Sequence, residues 1–284
     1  MSKKRCISPT SDRDVAAASS PPLELRYFPL LAKGLGPALV LEHSGLPWHG
    51  NRDLPFTIHE HWAALKPTTP FGQLPLLSAP TIGLQLAQTT AIINYVGRKA
   101  GIEGDTDDRY TISQMLIAEA EDIYAMMNKF LPTVYKRLSS DKVITSKGTR
   151  DDYDHFWSTL LPAQMEKLER LWGGPASDIV LPPAFMNGEG LHPGFSPGEL
   201  YLWSMLYQLT LVDEMATWPR EITKNSATGI RWTRLQVWYR MVEAHRSTAA
   251  VIKGHSSMGE LRQYYQHADS SDVCSEGDER GRWG

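Results

Sequence analysis

Residues that could bind a small anionic peptide cluster in the first third of the chain. Leu74 lies immediately before Pro75, so it is held extended, and its N–H and C=O can pair with an extended ligand as a neighbouring strand would. The turn before it is compatible with a cis bond at Pro75. Gln88 and Thr89 open an apolar periodic segment that predicts a helix, and the unpaired N–H groups of a helix start attract a carboxylate. An extended docking edge beside an anion site fits a short acidic peptide.

Tyr27 ends a predicted strand. Leu23, Leu25 and Tyr27 alternate with polar neighbours, which is the period of a half-buried strand. Open α/β sheets bind their ligands at the carboxyl ends of strands, so the Tyr27 hydroxyl is a candidate for chemistry. The alternative is an ordinary half-buried strand tyrosine.

The elements that must position these residues alternate in type along the first part of the chain. After the strand at Tyr27, the pattern predicts a helix around residues 38–42, a second strand at about residues 54–58, a third strand from Leu76, and a fourth strand before a helix at residues 88–99. The order is β-α-β followed by β-β-α. It predicts an α/β domain.

Strand signals almost vanish beyond Asp107, which predicts a second, all-α domain. Long amphipathic helices are predicted within residues 112–127 and 153–171. Ser196 and Glu199 have the spacing of a capping box ahead of a further apolar helix. Shorter helices fit residues 234–244 and 246–252. We assign the capping box to folding, not to chemistry.

Composition excludes several classes of function. The chain of 284 residues has a net charge of −3 and a pI near 6.3, so we expect no overall basic field for nucleic acid. No segment has the length and apolarity of a membrane span. Cys6 and Cys274 lack metal-ligand or redox spacing, and His59 with His61 does not complete a zinc site, so we expect no metal. A soluble, cytoplasmic protein is expected, and organelle targeting by the basic, Ser/Ala-rich residues 1–22 is the alternative.

The same stretches resemble a known family. The similarity lies in Lys66, Phe71-Gly72-Gln73-Leu74-Pro75, Gln88-Thr89-Thr90-Ala91-Ile92 and Leu25-Arg26-Tyr27-Phe28-Pro29. These residues resemble the cytosolic glutathione S-transferases, and most of all the tyrosine-type classes (alpha, mu, pi and sigma), over about residues 23–255. The resemblance implies a thioredoxin-like glutathione-binding domain at 23–104 and an all-helical domain at 107–256. Disordered tails are expected at 1–22 and, acidic in composition, at 267–284.

The resemblance implies that Tyr27 activates the thiol of glutathione. A free thiol with a pKa of about 8.5 is mostly protonated at neutral pH. A hydroxyl that donates a hydrogen bond to the sulfur favours the anion by about 1.5–3 kcal/mol, or roughly one to two pKa units. Tyr27 would therefore act as a hydrogen-bond donor, not as a general base.

The resemblance also implies a set of glutathione contacts. Trp62 and Lys66 would contact the glycyl carboxylate. Gln73, Leu74 and Pro75 would hold the cysteinyl portion, and Gln88 and Thr89 would bind the γ-glutamyl end. Lys33 stands where the family usually has arginine, which keeps the charge but loses bidentate geometry. The plainer interpretations are solvated lysines, a packing tryptophan and an ordinary polar first turn.

A homodimer is expected, although a dimer with a related chain stays open. In related dimers an acidic residue on the partner's long helix reaches the γ-glutamyl amine, and the candidates here are Glu119 and Asp122. Their alternative is a solvated helix face. Phe71 lies where some classes have an aromatic key that enters the neighbouring subunit, and its alternative is a buried turn phenylalanine.

The expected function is detoxification, in which glutathione is the co-substrate and its thiolate is conjugated to a hydrophobic electrophile. The electrophile pocket is expected to be apolar, with Phe28, Leu30, Leu31, Tyr124 and Met127 as candidates. A glutathione-dependent isomerase like the sigma-type prostaglandin synthases would use the same residues and differ only in this pocket. A non-catalytic structural or interaction protein of the same fold is the remaining alternative.

Overall fold

A four-stranded mixed sheet forms the first part of the fold. The structure, a computed structural model, describes residues 21–54, 61–79, 83–134, 150–172, 194–212 and 232–267. In the spatial order β2-β1-β3-β4, the strands are Trp48–His49, Leu23–Arg26, Leu76–Ala79 and Leu84–Ala87. β1 and β2 are parallel, whereas β3 is antiparallel to both β1 and β4. The α/β arrangement predicted from the sequence is confirmed.

The second strand lies earlier in the chain than predicted. β2 consists of Trp48 and His49, and the buried Trp48 ring donates from Nε1 to Glu42 at 3.2 Å. Leu54 instead lies in a bend, where its N–H bonds the Gly50 carbonyl at 2.8 Å. The rest of the predicted range, residues 55–58, lies outside the described residues. A strand of two residues carries no alternation of its own, and only its pairing with β1 identifies it.

Two helices pack with this sheet at the positions that the sequence predicted. α1, Leu35–Ser44, ends at Gly45, whose φ of 66° suits glycine. It is buried along its whole N-terminal half. α2, Thr89–Ala100, follows β4 directly and ends at Gly101 with φ 70°. The start of α2 therefore lies at the same edge of the sheet as the entrance to β3.

The second part of the described chain is helical. Its helices are α3, Asp107–Phe130; α4, Arg150–His155; α5, Leu161–Leu171; α6, Pro197–Thr210; α7, Thr233–Ala244; and α8, Arg246–Ile252. A π-helical turn, Phe156–Leu160, joins α4 to α5. Each of the helices predicted in this part of the chain is present. Among the described residues no helix is long and apolar enough to cross a bilayer.

The predicted capping box at the start of α6 is confirmed. The Glu199 N–H donates to Ser196 Oγ at 3.3 Å, and the Ser196 N–H donates to the Glu199 carboxylate at 2.9 Å. Burial raises the pKa of Glu199 to about 7. The Gly198 N–H also bonds Ser113 Oγ of α3 at 3.0 Å, so α6 and α3 approach closely at this point.

After α8 the chain returns to the sheet as a segment of turns and isolated bridges, residues 254–267, which we call the C-terminal strap. Its first part is held by Arg52, whose N–H bonds the Ser257 carbonyl at 3.0 Å. Further on, Arg262 bonds the loop after β1 through its main chain, and Thr133 bridges to Tyr265. The strap thus extends beyond the predicted helical domain, which was expected to end at 256. The predicted tails at 1–20 and 268–284 lie outside the described residues.

Candidate functional site

A cleft of about 310 Å³ opens where the loop after β1, the entrance to β3 and the start of α2 meet. Its lining residues are Phe28, Lys33, Trp62, Gly72, Gln73, Leu74, Pro75, Gln88 and Thr89. The sequence predicted all of them except Gly72 as contacts of glutathione or of the electrophile. The structure therefore brings most of the predicted site into one cleft, although these residues come from widely separated parts of the sequence.

The entrance to β3 supplies the extended edge. The Leu74–Pro75 bond is cis, and β3 begins directly afterwards at Leu76, which pairs with Ala87 of β4. Gly72 has φ 61°, a left-handed conformation that glycine adopts without strain. The turn exposes Gln73 while Pro75 is buried. Leu74 is thus presented to the cleft between a left-handed turn and a fixed strand.

The start of α2 supplies the polar end of the cleft. Thr89 is the first residue of the helix and is 4% exposed, and Gln88 precedes it with φ 73° and ψ 119°. The Gln88 side-chain amide donates to the Gln73 side-chain carbonyl at 3.1 Å. This bond holds two predicted ligand residues together beside the N–H groups of the first helical turn, where an anion is favoured.

Two predicted contacts of the glycyl end differ in their placement. Trp62 is 8% exposed, lines the cleft and packs edge-on against Phe28, with 6.0 Å between ring centroids. Lys66 lies in a 3-10 turn, Lys66–Thr68, and its aliphatic stem passes over Gly72. Lys66 is therefore beside the cleft and does not line it.

Tyr27 is 6% exposed and is not among the lining residues, but its ring centroid lies 5.6 Å from that of Phe28, which lines the cleft. Its hydroxyl oxygen accepts the Lys33 main-chain N–H at 3.2 Å. Asn51 holds its main chain, since the Asn51 amide donates to the Tyr27 carbonyl at 2.7 Å and accepts the Tyr27 N–H at 3.4 Å. A Cβ at Gly34 would overlap the ring, so this glycine makes room for it. Asn51 and Gly34, which sequence reasoning did not identify, thus help to fix Tyr27.

Lys33 both lines the cleft and joins it to the helical part of the fold. Its ammonium pairs with the Glu121 carboxylate of α3 and lies 4.3 Å from the centroid of the Tyr124 ring. Tyr201 of α6 donates to the same carboxylate at 2.6 Å. Burial raises the pKa of Tyr124 to about 12, and burial together with the Glu121 charge raises the pKa of Tyr201 further. Both tyrosines are therefore neutral around the Lys33 ammonium.

The acidic residues predicted to act on a partner's ligand take different positions. Glu119 accepts a hydrogen bond from the Gln164 side chain of α5, and its pKa is raised by burial and by the charge of Asp122. Asp122 is exposed. Glu121, on the same helix, is the carboxylate that the structure directs to Lys33. The partner roles of Glu119 and Asp122 stay predictions.

Three of the five residues predicted for the electrophile pocket are buried. Phe28 lines the cleft, but Leu30, Leu31 and Met127 are 7%, 4% and 0% exposed. Leu30 forms a main-chain bridge to Arg262 of the C-terminal strap. These residues therefore belong to the hydrophobic core in this structure, and their contact with an acceptor stays a prediction. Within the described part of the chain, no group of three or more His, Cys, Asp or Glu side chains could hold a metal ion.

Comparison with known proteins agrees with this architecture. No family model matches the chain. Glutathione S-transferase 1 of Ascaris suum is 27% identical over 212 residues, which cover 72% of this chain and 98% of that protein. Probable glutathione S-transferase 7 of Caenorhabditis elegans is 42% identical over 81 residues, or 28% of this chain and 36% of that protein.

Solved structures show the same fold. Prostaglandin synthase D of Nilaparvata lugens matches with a TM-score of 0.56 and 22% identity, covering 82% of this chain and 98% of that one. The glutathione S-transferase of Ascaris lumbricoides matches with a TM-score of 0.54 and 20% identity, covering 83% and 98%. The fold is a thioredoxin-like domain followed by a helical domain. In sequence and in fold the chain is similar to glutathione S-transferases.

Proposed function

We propose that this protein is a glutathione transferase that conjugates the thiolate of glutathione to hydrophobic electrophiles. The observation that carries the proposal is the cleft itself, in which the Leu74 edge lies beside the Gln73 and Gln88 amides at the start of α2. An extended main-chain edge binds a short peptide, and the helix start binds its carboxylate. Glutathione has both features.

The tripeptide would lie across the cleft in one direction. Its γ-glutamyl carboxylate would take the first-turn N–H groups and the Thr89 hydroxyl, while its cysteinyl portion would pair with the Leu74 main chain. Its glycyl end would reach Trp62, with Lys66 close by as a cation. In this proposal the thiol lies toward Tyr27 and toward Lys33, which lines the cleft.

Tyr27 would favour the thiolate as a hydrogen-bond donor. A hydroxyl has one proton to donate and two lone pairs, and the Lys33 N–H occupies one of the lone pairs. The Lys33 ammonium adds positive charge near the sulfur, screened in part by Glu121. With a chloronitroaromatic acceptor, the thiol proton passes to solvent, the sulfur forms a bond to the ring carbon, and chloride leaves with the bonding electrons.

A homodimer completes the proposal. Phe71 is 65% exposed on the turn beside the cleft, which removes the alternative of a buried turn phenylalanine. Met115 on α3 is 44% exposed, and Asp122 lies exposed farther along the same helix. A second copy of the chain would cover Phe71 and Met115. Its own α3 helix would bring an acidic side chain toward the γ-glutamyl amine. We further propose that the protein acts in the cytoplasm in detoxification.

The test combines retention on glutathione resin with a conjugation assay. We expect the wild-type protein to bind glutathione and to conjugate a chloronitroaromatic acceptor. Gln88→Ala should weaken glutathione binding by about tenfold or more, because it removes a side-chain amide that lines the cleft and bonds Gln73 there. Gln85→Ala, an exposed glutamine on β4, is the matched control and should bind as the wild type does. Equal binding by both variants would remove Gln88 from the site.

A second function is favoured by one observation. The predicted electrophile residues Leu30, Leu31 and Met127 are buried, as is expected if the fold has been kept for binding and not for conjugation. A non-catalytic protein would be retained on the resin but would show no turnover across a broad panel of electrophiles. Turnover with any member of that panel excludes it.

A further inference from the structure

The C-terminal strap places one tyrosine inside the protein. Tyr265 is 1% exposed, and its hydroxyl donates to the Asn128 side chain of α3 at 3.2 Å. Its neighbours Tyr264 and Gln266 are only partly buried. Of the three residues 264–266, Tyr265 is thus the one whose side chain is fully buried, and its hydroxyl is hydrogen-bonded to Asn128.

Main-chain bonds hold the strap on both sides of this ring. The Val134 N–H bonds the Tyr264 carbonyl and the Gln266 N–H bonds the Pro132 carbonyl, each at 3.0 Å. Earlier in the strap, the Arg262 N–H bonds the Pro29 carbonyl at 3.0 Å and its carbonyl accepts the Leu31 N–H at 2.9 Å. The strap is therefore tied to the loop after β1 and to the end of α3. Tyr265 cannot leave the core without breaking some of these bonds.

The ring is part of the hydrophobic core that also contains residues expected to receive an electrophile. The Tyr265 phenol interacts electrostatically with those of Tyr27, Tyr124 and Tyr201, and burial is the main reason that its pKa is raised well above the usual value. It belongs to the same core cluster as Leu30, Leu31 and Met127. Its partner Asn128 lies one turn along α3 from Tyr124, and the Tyr124 ring centroid is 4.3 Å from the Lys33 ammonium, which lines the cleft. Tyr265 is therefore connected through α3 to the Lys33 side of the cleft.

We propose that the Tyr265 side chain fills the inner part of the acceptor pocket and restricts the enzyme to small electrophiles. This inference rests on the proposed function, because it assumes that an acceptor approaches a thiol held beside Tyr27. Replacing the ring by a small side chain opens an apolar space that a larger acceptor can occupy, as engineered cavities bind apolar molecules. Tyr265 is on this view a specificity-determining residue.

The first test measures binding and needs no turnover. The affinities of glutathione and of S-hexylglutathione are compared by calorimetry in the wild type, Tyr265→Ala and Tyr265→Phe. Tyr265→Ala should bind S-hexylglutathione about tenfold tighter than the wild type does, the gain expected from burying about two more methylene groups, with unchanged affinity for glutathione. Tyr265→Phe keeps the ring and should behave as the wild type. Arg262→Ala, an exposed strap position, is a second control.

The second test measures selectivity. The ratio of kcat/KM for a bulky acceptor to kcat/KM for a chloronitroaromatic acceptor should rise about tenfold in Tyr265→Ala and stay constant in both controls. Tyr265→Leu leaves a smaller cavity and should give an intermediate rise in this ratio. It replaces Tyr265→Ala in the test if the alanine variant does not fold. Unchanged S-hexylglutathione affinity in a folded, glutathione-binding Tyr265→Ala or Tyr265→Leu variant overturns the inference alone. A wild-type protein that binds neither ligand overturns the proposed function as well.

Discussion

The Lys33 ammonium and the Glu121 carboxylate form an ion pair that joins the loop after β1 to helix α3. Their side chains are 21% and 33% exposed, so the pair is only partly screened by water. Tyr201 donates to the same carboxylate, which adds α6 to the connection. Lys33 also lines the cleft. Glu121 of the helical domain therefore helps to position the Lys33 ammonium in the candidate site.

Removing the carboxylate should weaken this connection. We expect Glu121→Gln to lower the free energy of unfolding by about 1–2 kcal/mol, because the Lys33 charge is left partly buried without its counter-ion. Urea denaturation measures the change, and a double-mutant cycle with Lys33→Met isolates the pair. Glu103→Gln, which breaks the more exposed pair with Arg98, should leave the midpoint unchanged. Equal effects of the two single variants would show that the Lys33 pair contributes no more than a surface pair.

Tyr27→Phe tests the proposed activation of the thiol. We expect kcat to fall by tenfold to a few hundredfold, the rate equivalent of losing a hydrogen bond worth about 1.5–3 kcal/mol, with glutathione affinity nearly unchanged. The apparent pKa in the pH profile of kcat/KM should rise by roughly one to two units. Tyr95→Phe on α2 is the matched control. Unaltered turnover and an unaltered pH profile in Tyr27→Phe would exclude Tyr27 from the mechanism.

Phe71→Ser tests the proposed dimer. An isologous interface buries the ring once in each subunit, so its loss should raise the dimer dissociation constant by about a hundredfold or more. Sedimentation velocity over a range of concentrations measures the change. Val237→Ser removes another exposed apolar side chain, 56% exposed on α7, and should leave the association unchanged. A wild-type protein that sediments as a monomer at high concentration would contradict the assignment of Phe71.

His43 should make the stability of the protein depend on pH. Its Nε2 lies 2.9 Å from Thr248 Oγ1 and its ring stacks on His245 with 4.3 Å between centroids, so α1 and α8 meet there. Burial, and then the neighbouring His245, lower the pKa of His43 from 6.5 to about 3. The unfolded chain therefore binds a proton between these values that the folded protein does not bind. Stability is present above pH 6.5 and is lost as the pH falls toward 3.

The expected loss from this group is about 2 kcal/mol at pH 5. Denaturation of the wild type and of His43→Gln between pH 5 and 7.5 measures it, and the variant should show the shallower dependence. His255→Gln, whose ring is exposed, should keep the wild-type slope. Parallel curves for the wild type and His43→Gln would show that His43 carries no such penalty.

The sequence predicted those parts of the fold whose signals are local. The alternation that ends at Tyr27 and the capping box of Ser196 and Glu199 each lie within a few residues, and both are present in the structure. β2 could not be located in this way, since Trp48 and His49 are recognised as a strand only by pairing with β1.

The candidate site shows the same division. Gln73 and Gln88 were identified by motif and meet in the cleft. Asn51 was missed because a loop asparagine has no distinctive pattern, and its bonds to Tyr27 become visible only in three dimensions. Tyr265 was missed because its position depends on contacts with Pro132 and Val134, which are far away in the chain.

The strap also determines how the protein should melt. Residues 257–266 are hydrogen-bonded to the sheet domain and to the segment that follows α3. The helical domain is therefore attached to the sheet domain twice, by the chain between α2 and α3 and by the C-terminal strap. A single proteolytic cut just after α8 would remove the covalent link between the helices and the C-terminal strap without cutting any helix or strand. Calorimetry should then show one sharp endotherm in the intact chain and a broader, divided endotherm in the nicked chain.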